Sequence, residues 1–409
     1  MTEFNTERPL IMHIDLNSCF ATVEQQARPM LRGRPIAIVN RRTDKTAIVT
    51  ASYEAKAMGV KVGMKFREAK ALCPDLIMLE SDPPKYRYVY HKLLDIMRDY
   101  SAHVTMKSID EGIIDFHDAP ESVRSRDLVD LGQEIKQRLK DEIGDWMRCN
   151  VGIATNRFLA KTAAGMNKPD GLTVITADTI YDVLGRLKLL DLTGIAHRNQ
   201  HRLESVGIYT PLDFLAADVV TLQRVVFKSV VGQWWHDRLR GWEVDDVETD
   251  VKRVGRQYVL ERFDLTYDEI LDRLHHLCES VGSRMRSQQK SARGIYVYAK
   301  TRERQYWHRS TMAQLSFSSD QTIYELARQL FYQAPDDLKE IGIHCYELEP
   351  IEDEQVSLFN DQIVLERQVT NTIDGINHRY GERTIHSAHT LGSGVYVKQK
   401  IPFGSTRYL

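Results

Sequence analysis

Two adjacent acidic residues, Asp110 and Glu111, stand between the apolar runs of the stretch MKSIDEGIIDF, residues 106 to 116. Neighbouring side chains on a strand point to opposite faces, so a regular buried strand would desolvate one of these carboxylates at high cost. A turn between the two apolar runs avoids this, and Gly112 tolerates the unusual dihedrals that turns use. We therefore predict a hairpin whose tip carries both acids.

The segments around this hairpin follow a β-α-β-β-α-β order. The mostly apolar run from Leu10 to Leu16 has the length of a strand, and Asn17 or Ser18 can cap the helix that follows. Prolines and glycines break residues 28–84, which are interpreted as a small inserted module. Without the insert, the order is that of the split βαβ arrangement in ferredoxin-like domains.

In such a domain the first strand can lie beside the hairpin, so Asp15 can approach Asp110 and Glu111. Three carboxylates suit hard divalent cations such as Mg²⁺, which prefer oxygen ligands. Two such ions can activate an attacking hydroxyl and stabilise a leaving pyrophosphate. Acids are also common at strand ends without any metal, so spacing alone favours the structural alternative.

The whole chain is expected to be a multidomain α+β protein. Its 409 residues exceed one compact core and predict two to four domains. After the ferredoxin-like part, short helices are predicted over residues 179–246, a polar linker over 247–255 and a further α+β unit over 256–350. Residues 351–409 form an acidic stretch and a weakly patterned tail.

Charge is distributed unevenly along the chain. The net charge of −2, from 55 basic and 57 acidic residues, excludes a uniformly basic nucleic-acid binder. A strand-like segment nevertheless carries eight basic residues against one acid, Glu303. We call these eight the basic stripe: Arg284, Arg286, Lys290, Arg293, Lys300, Arg302, Arg304 and Arg309. The stripe predicts a polyanion-binding surface, with a solvated strand face as the alternative.

Cysteine usage and hydropathy predict an intracellular location. The five cysteines are far apart and form no CxxC pair, so neither a zinc ribbon nor a disulfide framework is expected. No apolar run approaches the roughly 20 residues that span a bilayer, and the first residues do not resemble a signal peptide. We expect a cytoplasmic protein that does not enter membranes.

Five sequence words, in order, resemble the Y family of translesion DNA polymerases, with bacterial DNA polymerase IV closest in character. They are HIDLNSCFATVE (13–24), TASYEAKAMGVKVGM (50–64), SIDEGIIDF (108–116), VGIATNRFLAKTAAGMNKPDG (151–171) and LTGIAHRNQHRLESVGI (192–208). The resemblance covers about the first 350 residues. It implies a palm (1–27 and 85–178), inserted fingers (28–84), a helical thumb (179–246) and an α+β little finger (256–350).

The resemblance also implies the reaction and its metal ligands. The activity would be template-directed addition of deoxynucleotides to a primer in translesion synthesis and DNA repair, with two Mg²⁺ ions. Asp15, Asp110 and Glu111 would be the catalytic metal ligands, and the backbone carbonyl of Leu16 a further one. Gly112 stands where the family usually has Ala.

Four residues match nucleotide-binding positions of the family. Phe20 matches the steric gate that excludes ribonucleotides, although a Phe on this helix could equally belong to the core. Tyr53, Lys56 and Lys168 match residues that hold the triphosphate, where ammonium and phenol groups can bind phosphate oxygens. Lys56 replaces the usual Arg, which loses bidentate contact but keeps the charge.

The remaining matches concern macromolecular partners. The resemblance implies that primer-template DNA binds to Gly194, in the thumb's helix-hairpin-helix-like turn, and to six members of the basic stripe. These six are Arg284, Arg286, Arg293, Lys300, Arg302 and Arg304. Contacts to phosphates imply affinity that falls steeply with salt. The peptide QVSLF resembles a sliding-clamp-binding motif through Gln355, Leu358 and Phe359, and the protein is expected to be a monomer.

Two other functions remain open from the sequence. An accessory protein of this family could hold DNA or the clamp without catalysis, but it would be expected to lack the acidic triad. Another two-metal palm enzyme, such as a nucleotide cyclase, would not need a thumb, a basic stripe or a clamp-like peptide.

Overall fold

The computed structural model describes residues 3–247, 250–351, 361–381, 383–392 and 397. These residues form two compact units, the first within 3–247 and the second from 250 to 397. The described strands form two sheets in the first unit and one in the second, and helices of the same unit pack on them. In the described ranges, no helix is long and apolar enough to cross a membrane.

The described strands of the first unit form two sheets. In chain order the strands are β1 (Ile11–Leu16), β2 (Ile36–Val39), β3 (Ile48–Ala51), β4 (Ile77–Glu80), β5 (Val104–Met106), β6 (Glu111–Asp115), β7 (Cys149–Ala154) and β8 (Leu172–Val174). The larger sheet has the order β5-β6-β1-β7-β8, and the smaller has the order β3-β2-β4. The first four strands of the larger sheet have the order that a ferredoxin-like domain requires, which confirms the predicted fold class.

Several helices of the first unit begin at side-chain caps. Asp82 accepts a hydrogen bond from the N–H of Lys85 just before two prolines, and Asn156 accepts one from Leu159. The helices are α1 (Cys19–Ala27), α2 (Tyr53–Ala57), α3 (Phe66–Leu72), α4 (Pro83–Arg98), α5 (Glu121–Arg124), α6 (Leu128–Glu142), α7 (Arg157–Gly165), α8 (Ile180–Leu184), α9 (His197–Glu204), α10 (Pro211–Ala216), α11 (Val219–Thr221) and α12 (Val231–Leu239).

Strand β1 lies inside the larger sheet, and its side chains are buried on both faces of that sheet. Met12, Ile14 and Leu16 belong to a core that includes α1, α4 and α6, whereas Ile11 packs with α7 and the helices that follow it. Side chains alternate along a strand, so Asp15 lies on the same face as Ile11. This face is the one that α7 covers.

Gly112 lies inside β6, not in the turn, so the predicted hairpin is wrong at its tip. The connection between the strands spans residues 107–110, and β6 begins at Glu111. A Cβ at Gly112 would lie 2.5 Å from the Met106 sulfur and 2.9 Å from the Met97 Cε. The missing side chain therefore makes room for two methionines, because this face of β6 points into the core.

Ser18 precedes α1 but does not cap it with its side chain, contrary to the prediction. Its backbone has a left-handed conformation, with φ of 47°, and its carbonyl accepts the N–H of Thr22. The hydroxyl instead accepts a hydrogen bond of 2.7 Å from Lys56. The residue joins the start of α1 to α2 rather than closing the helix end.

Two elements of the structure cross expected domain boundaries. The smaller sheet, α2 and α3 lie within residues 28–84, but α4 already begins at Pro83. The expected linker over 247–255 is too long, because Arg253 already pairs with Tyr346 in a sheet of the second unit. Polar residues on an exposed edge strand were interpreted as a linker.

The second unit consists of an antiparallel sheet with helices on one face. Its elements are β9 (Arg253–Val259), α13 (Tyr267–Ser287), β10 (Lys290–Thr301), β11 (Tyr306–Phe317), α14 (Asp320–Phe331), β12 (Leu338–Pro350) and α15 (Asp361–Tyr380). The strand order is β11-β10-β12-β9. Ile295, Val297 and Ala299 on β10 are fully buried, while Tyr296 and Tyr298 between them are partly exposed. This alternation places one face of the sheet against the helices and leaves the other accessible.

Two buried charged residues of α13 anchor the chain beyond residue 360. Arg286 donates to Asp374 on α15, with Nε 2.6 Å from Oδ2. Glu279 accepts the backbone N–H of Ser387 at 3.0 Å and forms an ion pair with Arg383. The described part of the tail is therefore joined to the second unit by buried polar contacts.

All five cysteines are free and buried. Cys19 and Cys149 lie in the core of the larger sheet and Cys73 lies beneath the smaller sheet. Burial raises the pKa of both Cys278 and Cys345 in the second unit. These thiols are buried core side chains, and none of them forms a disulfide.

Candidate active site

Strands β1 and β6 bring the three predicted acids to one edge of the larger sheet. The strands are antiparallel, and Asp15 pairs directly with Glu111. The N–H of Leu16 donates to the carbonyl of Asp110 over 2.8 Å, which extends the pairing by one step. The three carboxylates therefore start from neighbouring backbone positions, as the split βαβ arrangement predicted.

Asp110 is a partly buried acid that lies just before β6. Burial raises the pKa of its carboxyl group, and the nearby charges of Asp15 and Glu111 raise it further against a hydrogen bond from Ser108. In the described part of the chain, Asp110 forms no ion pair. A cation beside this carboxylate would favour its charged form.

Glu111 is held by two cationic or polar neighbours that the sequence reasoning did not single out. Lys161 on α7 lies 2.8 Å from both carboxylate oxygens, and His13 Nε2 lies 3.2 Å from Oε2. Burial would raise the pKa of Glu111, but the hydrogen bonds from His13 and Lys161 and their charge lower it to about 2. These contacts keep the Glu111 side chain in place and favour its charged form.

The position of Lys161 depends on Gly152 in β7. A Cβ at Gly152 would lie 2.0 Å from the Ala160 carbonyl oxygen and 2.3 Å from the Ala164 nitrogen, both in the α7 backbone. Only glycine permits this approach of helix and strand. The sequence offered one signal for Lys161, a lysine in a helix just after a strand that contains glycine, but that signal does not identify its partner.

Asp15 forms an ion pair with Lys168, whose Nζ lies 2.8 Å from Oδ2. The Asn17 side chain holds the loop that carries Lys168. Asn17 Oδ1 accepts the N–H of Asp170 at 2.7 Å, and its amide donates to Asn150 at 3.1 Å. Asn17 therefore positions the loop that carries Lys168.

Lys56 and Tyr53 lie near Asp15. Lys56 Nζ is 4.8 Å from the centre of the Tyr53 ring and donates to Ser18. Burial lowers the pKa of Lys56, and the charge of Lys168 lowers it further, while Asp15 opposes both. The structure therefore brings Tyr53, Lys56 and Lys168 together around Asp15, as an anion-binding group requires.

Phe20 is packed in the core at the start of α1. Its ring is only 6% exposed and stacks on Tyr86, with centroids 4.3 Å apart and planes inclined by 10°. Burial raises the pKa of the neighbouring Cys19, and the charges of Asp110 and Asp15 raise it further. Phe20 is thus a packed residue close to the acids.

The predicted thumb turn has glycine where a left-handed backbone requires it. Gly194 has φ of 96°, and a Cβ there would lie 3.2 Å from the Trp235 ring. Its carbonyl accepts a hydrogen bond of 3.0 Å from Asn199 in α9. The turn is closely packed, which explains the glycine without reference to a ligand.

Arg286 does not belong to an exposed basic surface, so its assignment to DNA was wrong. Its side chain is only 7% exposed and lies between Asp320 and Asp374. Its Nη1 also donates to the carbonyl of Ser318 at 2.7 Å. Because α13 turns this face inward, a residue that looked basic in sequence is a buried structural cation.

Three further members of the basic stripe have carboxylate partners that are distant in sequence. Lys300 lies 2.7 Å from Glu340, Arg302 pairs with Asp337, and Arg293 lies 4.0 Å from Glu349. Arg284 donates to the carbonyl of Gly255 at 3.1 Å, and Arg304 is exposed in the β10–β11 turn. The stripe is therefore less positive in the structure than in the sequence, because strand β12 supplies acids beside it.

The donor set fits a hard divalent cation, but not in the arrangement seen. Among the described residues, no three His, Cys, Asp or Glu side chains are placed as they stand to hold a metal ion. Glu111 faces Lys161 and Asp15 faces Lys168, so their oxygens are shared with ammonium groups.

The clamp-like residues Gln355, Leu358 and Phe359 lie outside the described residues.

Known families and proteins resemble this chain over most of its length. The family model described as impB/mucB/samB family matches residues 14–165, and its C-terminal domain model matches residues 251–358. DNA polymerase IV 1 of Bacillus subtilis is 30% identical over 392 residues, covering 93% of each chain. DNA polymerase IV of Moorella thermoacetica is 33% identical over 401 residues, covering 94% of this chain and 97% of its own.

Solved structures share the fold. A Y-family DNA polymerase chimera of Dbh and Dpo4 has a TM-score of 0.70 at 22% identity, covering 83% of this chain and 98% of its own. An insertion ternary complex of Dbh DNA polymerase has a TM-score of 0.57 at 22% identity, covering 82% and 98%.

Proposed function

This chain belongs to the Y family of DNA polymerases, in the polymerase IV-like group, and we infer that it extends a primer by copying a DNA template. It is a DNA-directed DNA polymerase of translesion synthesis and repair, and its reaction is metal-dependent nucleotidyl transfer. Its substrates are DNA and deoxynucleotides. The observation that carries this conclusion is the meeting of Asp15, Asp110 and Glu111 on neighbouring strands in a chain that resembles DNA polymerase IV throughout.

We propose that these three carboxylates, with the carbonyl of Leu16, hold two Mg²⁺ ions. Oxygen donors of this kind match the preference of Mg²⁺, and a cation beside Asp110 would favour its charged form against the burial that raises its pKa. Bound divalent ions would activate the primer 3′-hydroxyl and stabilise the leaving pyrophosphate. His13 would keep Glu111 oriented from the buried side of the sheet.

The triphosphate is proposed to bind to Tyr53, Lys56 and Lys168. Two ammonium groups and a phenol around Asp15 can donate to phosphate oxygens as negative charge moves to the leaving group. Phe20 is proposed as the steric gate below the sugar. Its tight stacking on Tyr86 supports a fixed ring, because a mobile one could not exclude a 2′-hydroxyl.

The domain roles are also proposals. Residues 1–27 and 85–178 act as the palm, 28–84 as the fingers, 179–246 as the thumb and the second unit as the little finger. DNA phosphates would contact Gly194 and four members of the basic stripe with accessible side chains, with Arg286 excluded by burial. These four are Arg284, Arg293, Lys300 and Arg304, and Arg302 would join them; Arg293, Lys300 and Arg302, which have carboxylate partners, would contribute more weakly than Arg304.

Three further proposals concern the protein's setting. The peptide from Gln355 to Phe359 would bind a sliding clamp, since its Gln, Leu and Phe match such motifs. The polymerase would act as a monomer in the cytoplasm. The five free, buried cysteines support a reducing compartment.

The decisive experiment is primer extension with Mg²⁺ on an undamaged template and on one that carries a lesion. We expect Asp110→Asn to lower the extension rate about a thousandfold, because several kcal/mol of charge stabilisation is lost. Binding of primer-template DNA should remain near the wild-type level.

Asp118→Asn is the matched control, because Asp118 is highly exposed and pairs only loosely with His103. This control should extend primers normally. Full extension by Asp110→Asn would refute the assignment of the acids, and absence of extension by the wild-type chain would refute catalysis and favour an accessory role.

A further inference from the structure

Two lysines contact the carboxylate oxygens that the metal ions are proposed to use. Lys168 Nζ lies 2.8 Å from Asp15 Oδ2, and Lys161 Nζ lies 2.8 Å from both oxygens of Glu111. A carboxylate oxygen has few lone pairs, so an ammonium group and a divalent cation compete for it. Both lysines therefore affect how readily the acids can bind a cation.

The two ion pairs differ in how firmly they are fixed. Lys161 projects from α7, whose position against β7 is set by Gly152, and its partner Glu111 is also held by His13. Lys168 comes from a loop and contacts a single oxygen of Asp15. The Glu111 pair has two lysine contacts and a histidine, whereas the Asp15 pair has one lysine contact from a loop whose backbone Asn17 holds.

Lys168 also has a reason to change partner. It lies close enough to Lys56 for their charges to repel. The fixed acids and the lysines balance, because Asp15, Asp110 and Glu111 carry three negative charges and Lys56, Lys161 and Lys168 carry three positive charges. A triphosphate beside Lys56 would give Lys168 a second anionic partner at short range.

We propose that Lys168 transfers from Asp15 to the triphosphate when a nucleotide binds, and thereby frees Asp15 for a divalent cation. The proposal rests on the function inferred above and adds to it a coupling between two ligands. Lys161 stays with Glu111 in both states. Lys168 is thus the residue through which nucleotide binding strengthens cation binding, and by thermodynamic reciprocity cation binding strengthens nucleotide binding equally.

The test measures Mn²⁺ affinity directly, from the electron paramagnetic resonance signal of free Mn²⁺. The full chain is bound to a primer that ends in a dideoxynucleotide, so that no bond forms. Titrations are made with and without the templated deoxynucleotide, each corrected for Mn²⁺ bound to the free nucleotide. The ratio of the two dissociation constants is the coupling.

Lys168→Met is expected to tighten Mn²⁺ binding without nucleotide by about fivefold, the scale of one partly exposed ion pair. It should also bring the coupling ratio closer to one. Lys161→Met should tighten Mn²⁺ binding with and without nucleotide alike, so that the ratio stays at the wild-type value. This contrast separates partner exchange from the simple removal of a positive charge.

Two controls accompany these variants. Lys61→Met removes an exposed lysine of the fingers and should change neither constant. Lys168→Arg keeps the charge and should retain most of the coupling, which guards against a loss caused by misfolding. Thermal unfolding of every variant verifies that it is folded.

An unchanged coupling ratio in folded Lys168→Met, or weaker Mn²⁺ binding without nucleotide, would overturn the exchange. If the wild-type chain extends primers but Lys168→Met gives either of these results, only the exchange is refuted and the polymerase function stands. Failure of the wild-type chain to extend any primer would instead overturn the function.

Discussion

Buried histidines illustrate how the neighbours of one residue decide its role. His13 is fully buried, and its Nε2 faces Glu111 while its Nδ1 has no hydrogen-bond partner. His276 on α13 is almost as buried, but its charged surroundings are Arg256 and Arg383. One histidine contacts a carboxylate of the site, and the other is kept neutral first by burial and then by nearby cations.

We expect the second unit to lose stability as the pH falls below the ordinary histidine pKa. Burial, followed by the charges of Arg383 and Arg256, lowers the pKa of His276 from 6.5 to about 2. Between these values the unfolded chain binds a proton that the folded chain does not. The contribution of His276 to the free energy of unfolding is therefore complete above pH 6.5. Below that pH it falls by about 1.4 kcal/mol for each pH unit.

Urea unfolding of the wild-type chain and of His276→Gln, from about pH 7.5 to about pH 5, checks this expectation. The variant should show a shallower loss of unfolding free energy with acid. His308→Gln, which alters an exposed histidine on β11, should keep the wild-type slope. Equal slopes for wild type and His276→Gln would contradict the assignment.

At the scale of elements, the contact between α7 and β7 carries much of the site. Gly152 lets the helix backbone approach the strand, and the same helix then presents Lys161 to Glu111. A shift of α7 would change both the packing of the sheet and the contacts of Glu111, a proposed catalytic acid. Stability and site geometry are linked here because one close approach determines both.

Gly152→Ala is expected to lower the free energy of unfolding by about 3 kcal/mol, the upper range for overpacking in a core. The new methyl group would clash with helix backbone, which cannot rotate away. Extension activity should fall as well, since Lys161 would move from Glu111. Gly165→Ala, at the end of the same helix where nothing lies within 4 Å, is the control and should be neutral or slightly stabilising. Equal stability of both variants would refute the packing argument.

The order of elements could be predicted from the sequence, but their partners could not. Hydrophobic spacing gave the β-α-β-β-α-β order, and that order brought Asp15 to Asp110. Gly112 was misplaced because a glycine beside two acids resembles a turn, whereas its contacts with Met106 and Met97 arise only when β5 pairs with β6 and α4 packs on them. Contacts of this kind depend on packing and leave no local pattern.

At the scale of the whole molecule, charge is organised by pairing across elements. The net charge is −2, and the basic stripe shares its surface with acids from β12 and its neighbouring loop. Sequence counting could not detect this, because Glu340 and Asp337 come long after the stripe. The steep salt dependence that the sequence predicted should therefore be weaker.

Individual members of the stripe should differ in their effect on salt dependence. Arg304→Gln, at an exposed turn, should reduce the slope of log affinity for primer-template DNA against log salt by about one unit. Arg286→Met should leave that slope unchanged and lower the stability of the second unit, because Asp320 and Asp374 lose their partner. Fluorescence anisotropy titrations over a range of KCl concentrations measure both slopes. A reduced slope for folded Arg286→Met would restore that residue to the DNA surface.

The burial of every native thiol gives this polymerase a built-in set of unfolding reporters. Cys73 lies beneath the smaller sheet, Cys19 and Cys149 in the core of the larger one, and Cys278 and Cys345 in the second unit. A thiol-reactive reagent would label each site only when its own region opens. Mass spectrometry of the labelled chain would then show which region opens first, without any engineered probe.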